Sequence, residues 1–166
     1  MRKLFLGLVL MLVPALAVQE VQAQVEIGPS VVLAEDVDFG VGAIVVFSLE
    51  SVHESLEGSA SFDFYFPDLI DYFQIDGVVR YLIPISNESI LPFVAGGLGI
   101  GRFSFDADGI LGDDFSASTT EVGLLVGGGL KFEAESVNPF VQLLLGIGDI
   151  PSFGLKGGIT FPVGGS

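Results

Sequence analysis

The chain contains no cysteine and no tryptophan, and only one histidine. Without cysteine there is no disulfide framework, thiolate metal site or cysteine nucleophile. Cations are scarce: six lysines and arginines stand against 21 aspartates and glutamates, a net charge of −15 that excludes nucleic acid as a partner. Charged residues together make up 16% of the chain, against roughly 25% in an average soluble domain. A long apolar run is also missing: beyond residue 23 nothing approaches the ~18 unbroken apolar residues of a membrane helix. What is abundant is apolar and small. Half the chain is hydrophobic, with 23 glycines and 15 phenylalanines among 166 residues and a mean hydropathy of +0.70. That is too apolar for a disordered chain, and the length suits one domain rather than two.

The first residues read as an export signal. Arg2 and Lys3 precede an uncharged stretch from Leu4 to Val18, and Val21-Gln22-Ala23 offers a small-residue cleavage site. The stretch, broken by Pro14, falls short of the ~20 residues of a spanning helix. The expected division is a cleaved signal peptide at 1–23 and one domain at 24–166. Losing Arg2, Lys3 and Glu20 leaves four basic against twenty acidic residues, a net charge of −16.

The rest of the chain alternates with period two, the signature of strands. In residues 39–49, Phe39, Val41, Ala43, Val45, Phe47 and Leu49 share a face. In residues 56–66, Ala60, Phe62, Phe64 and Phe66 oppose Glu57, Ser59, Ser61, Asp63 and Tyr65. Phe73, Ile75, Val79 and Tyr81 likewise oppose Tyr72, Gln74, Asp76 and Arg80, while Val122, Leu124, Val126 and Leu130 oppose Glu121, Lys131 and Glu133. Eight such runs are expected, at 25–34, 39–49, 56–66, 72–84, 92–105, 119–133, 139–148 and 153–163. Most exceed the usual 5–6 residues of a soluble strand and match the ~9–11 that cross a bilayer at a tilt. Short polar connectors predict an antiparallel meander. An internal repeat agrees: Pro92–Gly101 aligns without gaps to Pro139–Gly148, with seven of ten positions identical.

Three features predict apolar faces turned outward to lipid rather than inward. Large apolar residues carry aromatics near the strand ends, as interfacial girdles do. The opposite faces carry glycine, serine and alanine, which suit the inside of a narrow tube. All four basic residues beyond the signal, Arg80, Arg102, Lys131 and Lys156, fall within strands instead of on loops. The expected interior is therefore a polar network of Asp63, Asp76, Arg80, Glu121, Lys131, Glu133 and Lys156, beside Glu26, Gln74 and Gln142. Inward Tyr65, Tyr72, Leu125 and Leu144 add filling. Two residues break the pattern. Arg102 lands on the lipid face, calling for snorkelling at the rim or a register-flipping bulge between Gly99 and Phe103, and Pro29 interrupts the first strand.

The stretch Phe73–Pro84, a turn, then Leu91–Phe103 resembles the outer-membrane β-barrel domain family, the small eight-stranded OmpA/OmpX-type proteins of diderm bacteria. The likeness is strongest over 72–105 and recurs at 139–148 and 157–163. It implies an all-β, eight-stranded antiparallel up-and-down transmembrane β-barrel in the bacterial outer membrane. Its implied partners are outer-membrane lipid, lipopolysaccharide and the barrel-assembly machinery. One departure concerns that machinery. Family members usually end in an aromatic residue, whereas here Phe161-Pro162-Val163 is followed by Gly164-Gly165-Ser166.

Chemistry is sparse. His53, within Glu50-Ser51-Val52-His53-Glu54-Ser55, can be drawn as a hydrolytic constellation, but a triad converges from separate elements. A solvated turn histidine is the expectation, and no enzyme activity is assigned. Asp106, Asp108, Asp113 and Asp114 form an acidic loop able to offer oxygen ligands to calcium or to lipopolysaccharide-bound cations. It lacks the distal glutamate of an EF-hand loop, so a plain acidic surface loop is expected, with no resident metal or cofactor. The expected function is a monomeric, plugged barrel serving envelope integrity or surface interaction. The alternatives are a low-conductance porin-like passage for small solutes and a soluble periplasmic lipid-binding barrel.

Overall fold

The computed structural model describes residues 25–35, 38–66, 71–86, 89–106 and 116–163. Eight strands follow one another: β1 (Val25–Ala34), β2 (Asp38–Ser48), β3 (Leu56–Tyr65), β4 (Asp71–Leu82), β5 (Ile90–Asp106), β6 (Ser116–Phe132), β7 (Asn138–Gly148) and β8 (Phe153–Val163). Each pairs antiparallel with its sequence neighbour, and β8 closes on β1 from Val25↔Val163 to Ala34↔Gly154. Closure removes the unpaired edges that an open sheet of this apolar composition would expose. We call the end where β1 begins and β8 finishes proximal, and the other distal.

The observed strands match the expected runs to within three residues at every end. β5 and β6 are the longest. Their mutual pairing runs out to Asp106↔Ser116, whereas β6 meets β7 only from Gly123↔Gly148 onward, so this hairpin projects past the distal rim. Pro29 is accommodated simply. Pairing of β1 to β8 lapses at Gly28 and Pro29 and resumes at Ser30↔Gly158 in the same register. The imino acid omits a ladder bond without shifting either strand.

Alternation places the faces as the pattern predicts. Ile27, Val31, Leu33, Phe62, Ile75, Val79, Leu98, Ile100, Val122 and Leu124 all point outward and are exposed. Most inward positions are buried, and many of them are polar. Among the described residues the inward side chains pack in polar layers and small apolar clusters. Arg102 needs no bulge. The registers with β4 and β6 run unbroken through Gly99–Phe103, leaving Arg102 exposed on the outward face opposite Phe73 and Thr120, near the distal rim.

Candidate functional site

The site is the filled lumen, built in layers from the proximal mouth. In the lowest layer Lys131, from β6, places its Nζ 2.7 Å from both Glu26 Oε1 of β1 and Glu57 Oε1 of β3. The Thr160 hydroxyl of β8 donates to the other oxygen of Glu26. All four residues are inward on their strands, and the ammonium ties together strands that are not neighbours. A bridge of this kind cannot be read from strand pairing alone.

Above it lies Arg80, 1% exposed. Its Nη2 donates to Gln142 Oε1 at 2.7 Å, and its guanidinium sits 4.7 Å from the ring centre of Phe93 and 5.6 Å from that of Phe140. Cation–π attraction is strongest when the cation is desolvated, as here. Phe93 and Phe140 are the identical second residues of the internal repeat. β5 and β7 run in the same direction with β6 between them, so the repeat sets two equivalent rings around one cation. Sequence reasoning found the repeat and the arginine separately. Their shared inward parity was the signal that could have joined them.

The third layer is also enclosed. Lys156 Nζ donates to Asp63 Oδ2 at 2.6 Å, to Asp76 Oδ2 at 3.1 Å and to Ser61 Oγ at 2.6 Å, using all three of its donors. Gln74 donates to Asp76 Oδ1 at 2.6 Å and accepts from the Tyr72 hydroxyl at 2.9 Å. Lys156, Asp63 and Asp76 are 3%, 0% and 3% exposed.

The distal end is closed by apolar groups. Tyr65, Tyr72 and Phe103 pack in series as tilted rings, with ring centres 5.3 and 4.2 Å apart, against Val32 and Ala34. Across the lumen Leu125, Leu144 and Ile150 form a second cluster. Ile150 belongs to the turn after β7, where Gly148 at φ +125° takes a conformation open to glycine and bends the chain inward. It fills space left by Gly99, Gly123 and Gly146, whose missing Cβ atoms would crowd its side chain. Sequence reasoning missed Ile150 because a residue between Asp149 and Pro151 reads as loop. Beneath this lid a cavity of about 20 Å³ touches Gln74, Asp76 and Lys156, room for about one water.

Of the residues expected in the network, Asp63, Asp76, Arg80, Lys131 and Lys156 are brought together as described. Glu121 is inward but only half-buried, above the Lys156 layer and opposite Gly101. Glu133 is a correction. β6 ends at Phe132, so Glu133 lies one step outside the lumen, exposed at the proximal mouth. There its backbone N–H donates to Ser89 O at 3.1 Å. The His53 ring is exposed in the β2–β3 turn, where Nδ1 accepts from the Ser55 N–H at 3.1 Å. Its ring centre lies 5.9 Å from that of Tyr81. Asp108, Asp113 and Asp114, the signal segment 1–23 and the tail Gly164–Ser166 lie outside the described residues, as does the Asp106 side chain.

No protein-family model matches the sequence, and no curated protein matches it. Solved structures do match, and they define a class. The fold is that of the small eight-stranded outer-membrane barrels. The N-terminal β-barrel domain of Pseudomonas aeruginosa OprF superposes with a TM-score of 0.66 at 17% identity, covering 86% of this chain and all of that one. Neisserial surface protein A gives 0.59 at 14% identity, over 85% of this chain and 96% of its own. Ail of Yersinia pestis, solved with the heparin analogue sucrose octasulfate, gives 0.56 at 16% identity, over 85% and 97%.

Proposed function

We propose that this protein is a monomeric, plugged barrel of the bacterial outer membrane that serves envelope integrity. On this reading residues 1–23 are a cleaved export signal and the proximal end faces the periplasm. Outer-membrane lipid and lipopolysaccharide surround the apolar belt, and the barrel-assembly machinery inserts it. The observation that carries the reading is the lumen. Lys131 and Lys156 each bridge strands across the interior, Arg80 is clamped between them, and the Tyr65–Tyr72–Phe103 ring cluster and Ile150 close the distal end. An eight-stranded barrel is just wide enough for side chains to fill, and these side chains fill it with paired charge.

Ail was solved holding a heparin analogue, but binding of that kind does not transfer readily to this chain. Its distal end presents Glu35, Asp38, Glu121 and Asp149, which repel a sulfated polyanion. The test of the plug is conductance. The purified barrel in planar bilayers should give no current steps above those of the lipid and detergent alone. Reproducible steps in every insertion would replace the plug with the low-conductance passage.

A further inference from the structure

We infer that the distal part of the β6 edge docks an extended, basic polypeptide segment from outside the cell, which adds to the wall as a further strand. β5 and β6 pair out to Asp106↔Ser116, but β7 leaves β6 at Gly123↔Gly148, where Gly148 turns the chain into the lumen. Ser116–Val122 is therefore paired on one side and open on the other. Val122 O lies on the β7 side, 3.0 Å from the position of a Cβ on Gly148. Leu125 O lies on the β5 side, 3.9 Å from that of Gly96. In an antiparallel ladder both polar groups of a residue face one side, and successive residues alternate. The N–H and C=O of Ser116, Ser118 and Thr120 thus face the open side. No backbone partner meets them there among the described residues.

Strand edges are usually blunted by lysine, proline or a bulge. Ser116–Val122 contains neither lysine nor proline, and its register with β5 has no bulge. A row of unpaired backbone groups is a template for strand addition. Charge selects the occupant. A strand added here sits beside Glu121 on the inward face, with Asp149 at its foot and Glu35 and Asp38 on the same rim. On the outward face its neighbour is Thr120, whose register partner is Arg102. The segment therefore carries cations at its inward positions and neutral residues at its outward ones. A second copy in the same membrane fits poorly. Its β6 runs in the same direction, so the two edges meet parallel, and both rims are acidic. The partner's place outside the cell rests on the proposed membrane orientation, whereas the pairing itself is independent of that orientation and of conductance.

The probe is a labelled peptide in which lysine alternates with threonine or valine. It is titrated with the full purified barrel in detergent and read by fluorescence anisotropy. One saturable site is expected. Residues opposite Ser118 and Thr120 bond to them and point outward, so the threonines and valines make the contacts. N-methylating those residues should weaken binding at least about tenfold, the worth of one or two lost hydrogen bonds. N-methylating the lysines, whose N–H groups face away from β6, should change it less than about threefold. Glutamate in place of lysine should weaken it at least about tenfold. Thr120→Pro removes an N–H outside the ladder, which an edge tolerates. It should weaken binding about tenfold and leave the unboiled gel mobility unchanged. No saturable binding, equal effects of the two methylation patterns, or equal affinity for the glutamate peptide overturns the inference. So does a barrel dimer in light scattering that Thr120→Pro dissolves, since the edge would then belong to a second copy.

Discussion

Replacing Lys156 by methionine removes one charge from an enclosed layer of the lumen and keeps most of its volume. The Lys156 ammonium lies 2.6 Å from Asp63 Oδ2 and 3.1 Å from Asp76 Oδ2, with both aspartates essentially inaccessible to solvent. Without it the two carboxylates share the Ser61 hydroxyl, 3.1 and 3.4 Å away, and one amide hydrogen bond from Gln74 to Asp76. Breaking a buried pair by removing one partner typically costs about 3–5 kcal/mol. At ~1.4 kcal/mol per factor of ten, the folded-to-unfolded ratio should fall about 10²- to 10⁴-fold. The triple variant K156M/D63N/D76N discharges the whole layer. It should return to within about 1–2 kcal/mol of the parent, because exchanging a complete buried pair for neutral groups is often close to neutral. The chain has no tryptophan, so the assay is urea titration of vesicle-reconstituted barrel, read as the fraction of compact band on unboiled gels. A Lys156→Met loss below ~1 kcal/mol would refute the reasoning, as would a triple variant no more stable than the single one.

Leu98 lies on the outward face between Gly77 and Leu124 and is more than half exposed. Leu98→Arg should cost about 2–4 kcal/mol in vesicles, the penalty of a charge on a lipid-facing strand, and much less in detergent unfolding titrations. In Gly123→Val the new Cβ would lie 2.7 Å from Ile150 Cδ1. It should displace the distal lid at a cost of about 1–3 kcal/mol, visible as a lower urea midpoint. Phe93→Ala opens a void beside the Arg80 guanidinium. It should cost about 3–5 kcal/mol by the same assay, with Phe93→Tyr nearer the parent because a ring still covers the cation.

How far the sequence could be read depended on whether a feature was local. Strand positions and faces were legible because period-two alternation runs through Leu56–Phe66, and through Phe39–Leu49 with only Ile44 and Val46 large and apolar on the inward face, while the outward face stays uncharged in both. The inward parity of Asp63, Asp76, Arg80, Lys131 and Lys156 followed from the same alternation. Their pairing did not. Lys156 meets Asp63 from 93 positions away, and Lys131 meets Glu26 from 105. Which charges come level depends on strand tilt and register around the whole barrel, to which no single stretch of sequence testifies. Glu133 had the right parity but stood one residue beyond the end of β6, where alternation continues while enclosure stops. Arg102 looked anomalous because a cation at the outward parity suggested a slip. The unbroken ladder shows instead that a position near the rim tolerates it. Ile150 was hidden in a turn, since alternation says nothing about a side chain carried inward by a glycine at positive φ.

The central claim is a closed barrel embedded in lipid, and the most direct measurement is heat modifiability in an outer-membrane fraction. The same sample is run in mild SDS unboiled and boiled. The account predicts that the protein sediments with outer membrane and that its unboiled band migrates at a different apparent mass, collapsing to one position on boiling. A protein recovered in the soluble periplasmic fraction, with one band before and after heating, would contradict it.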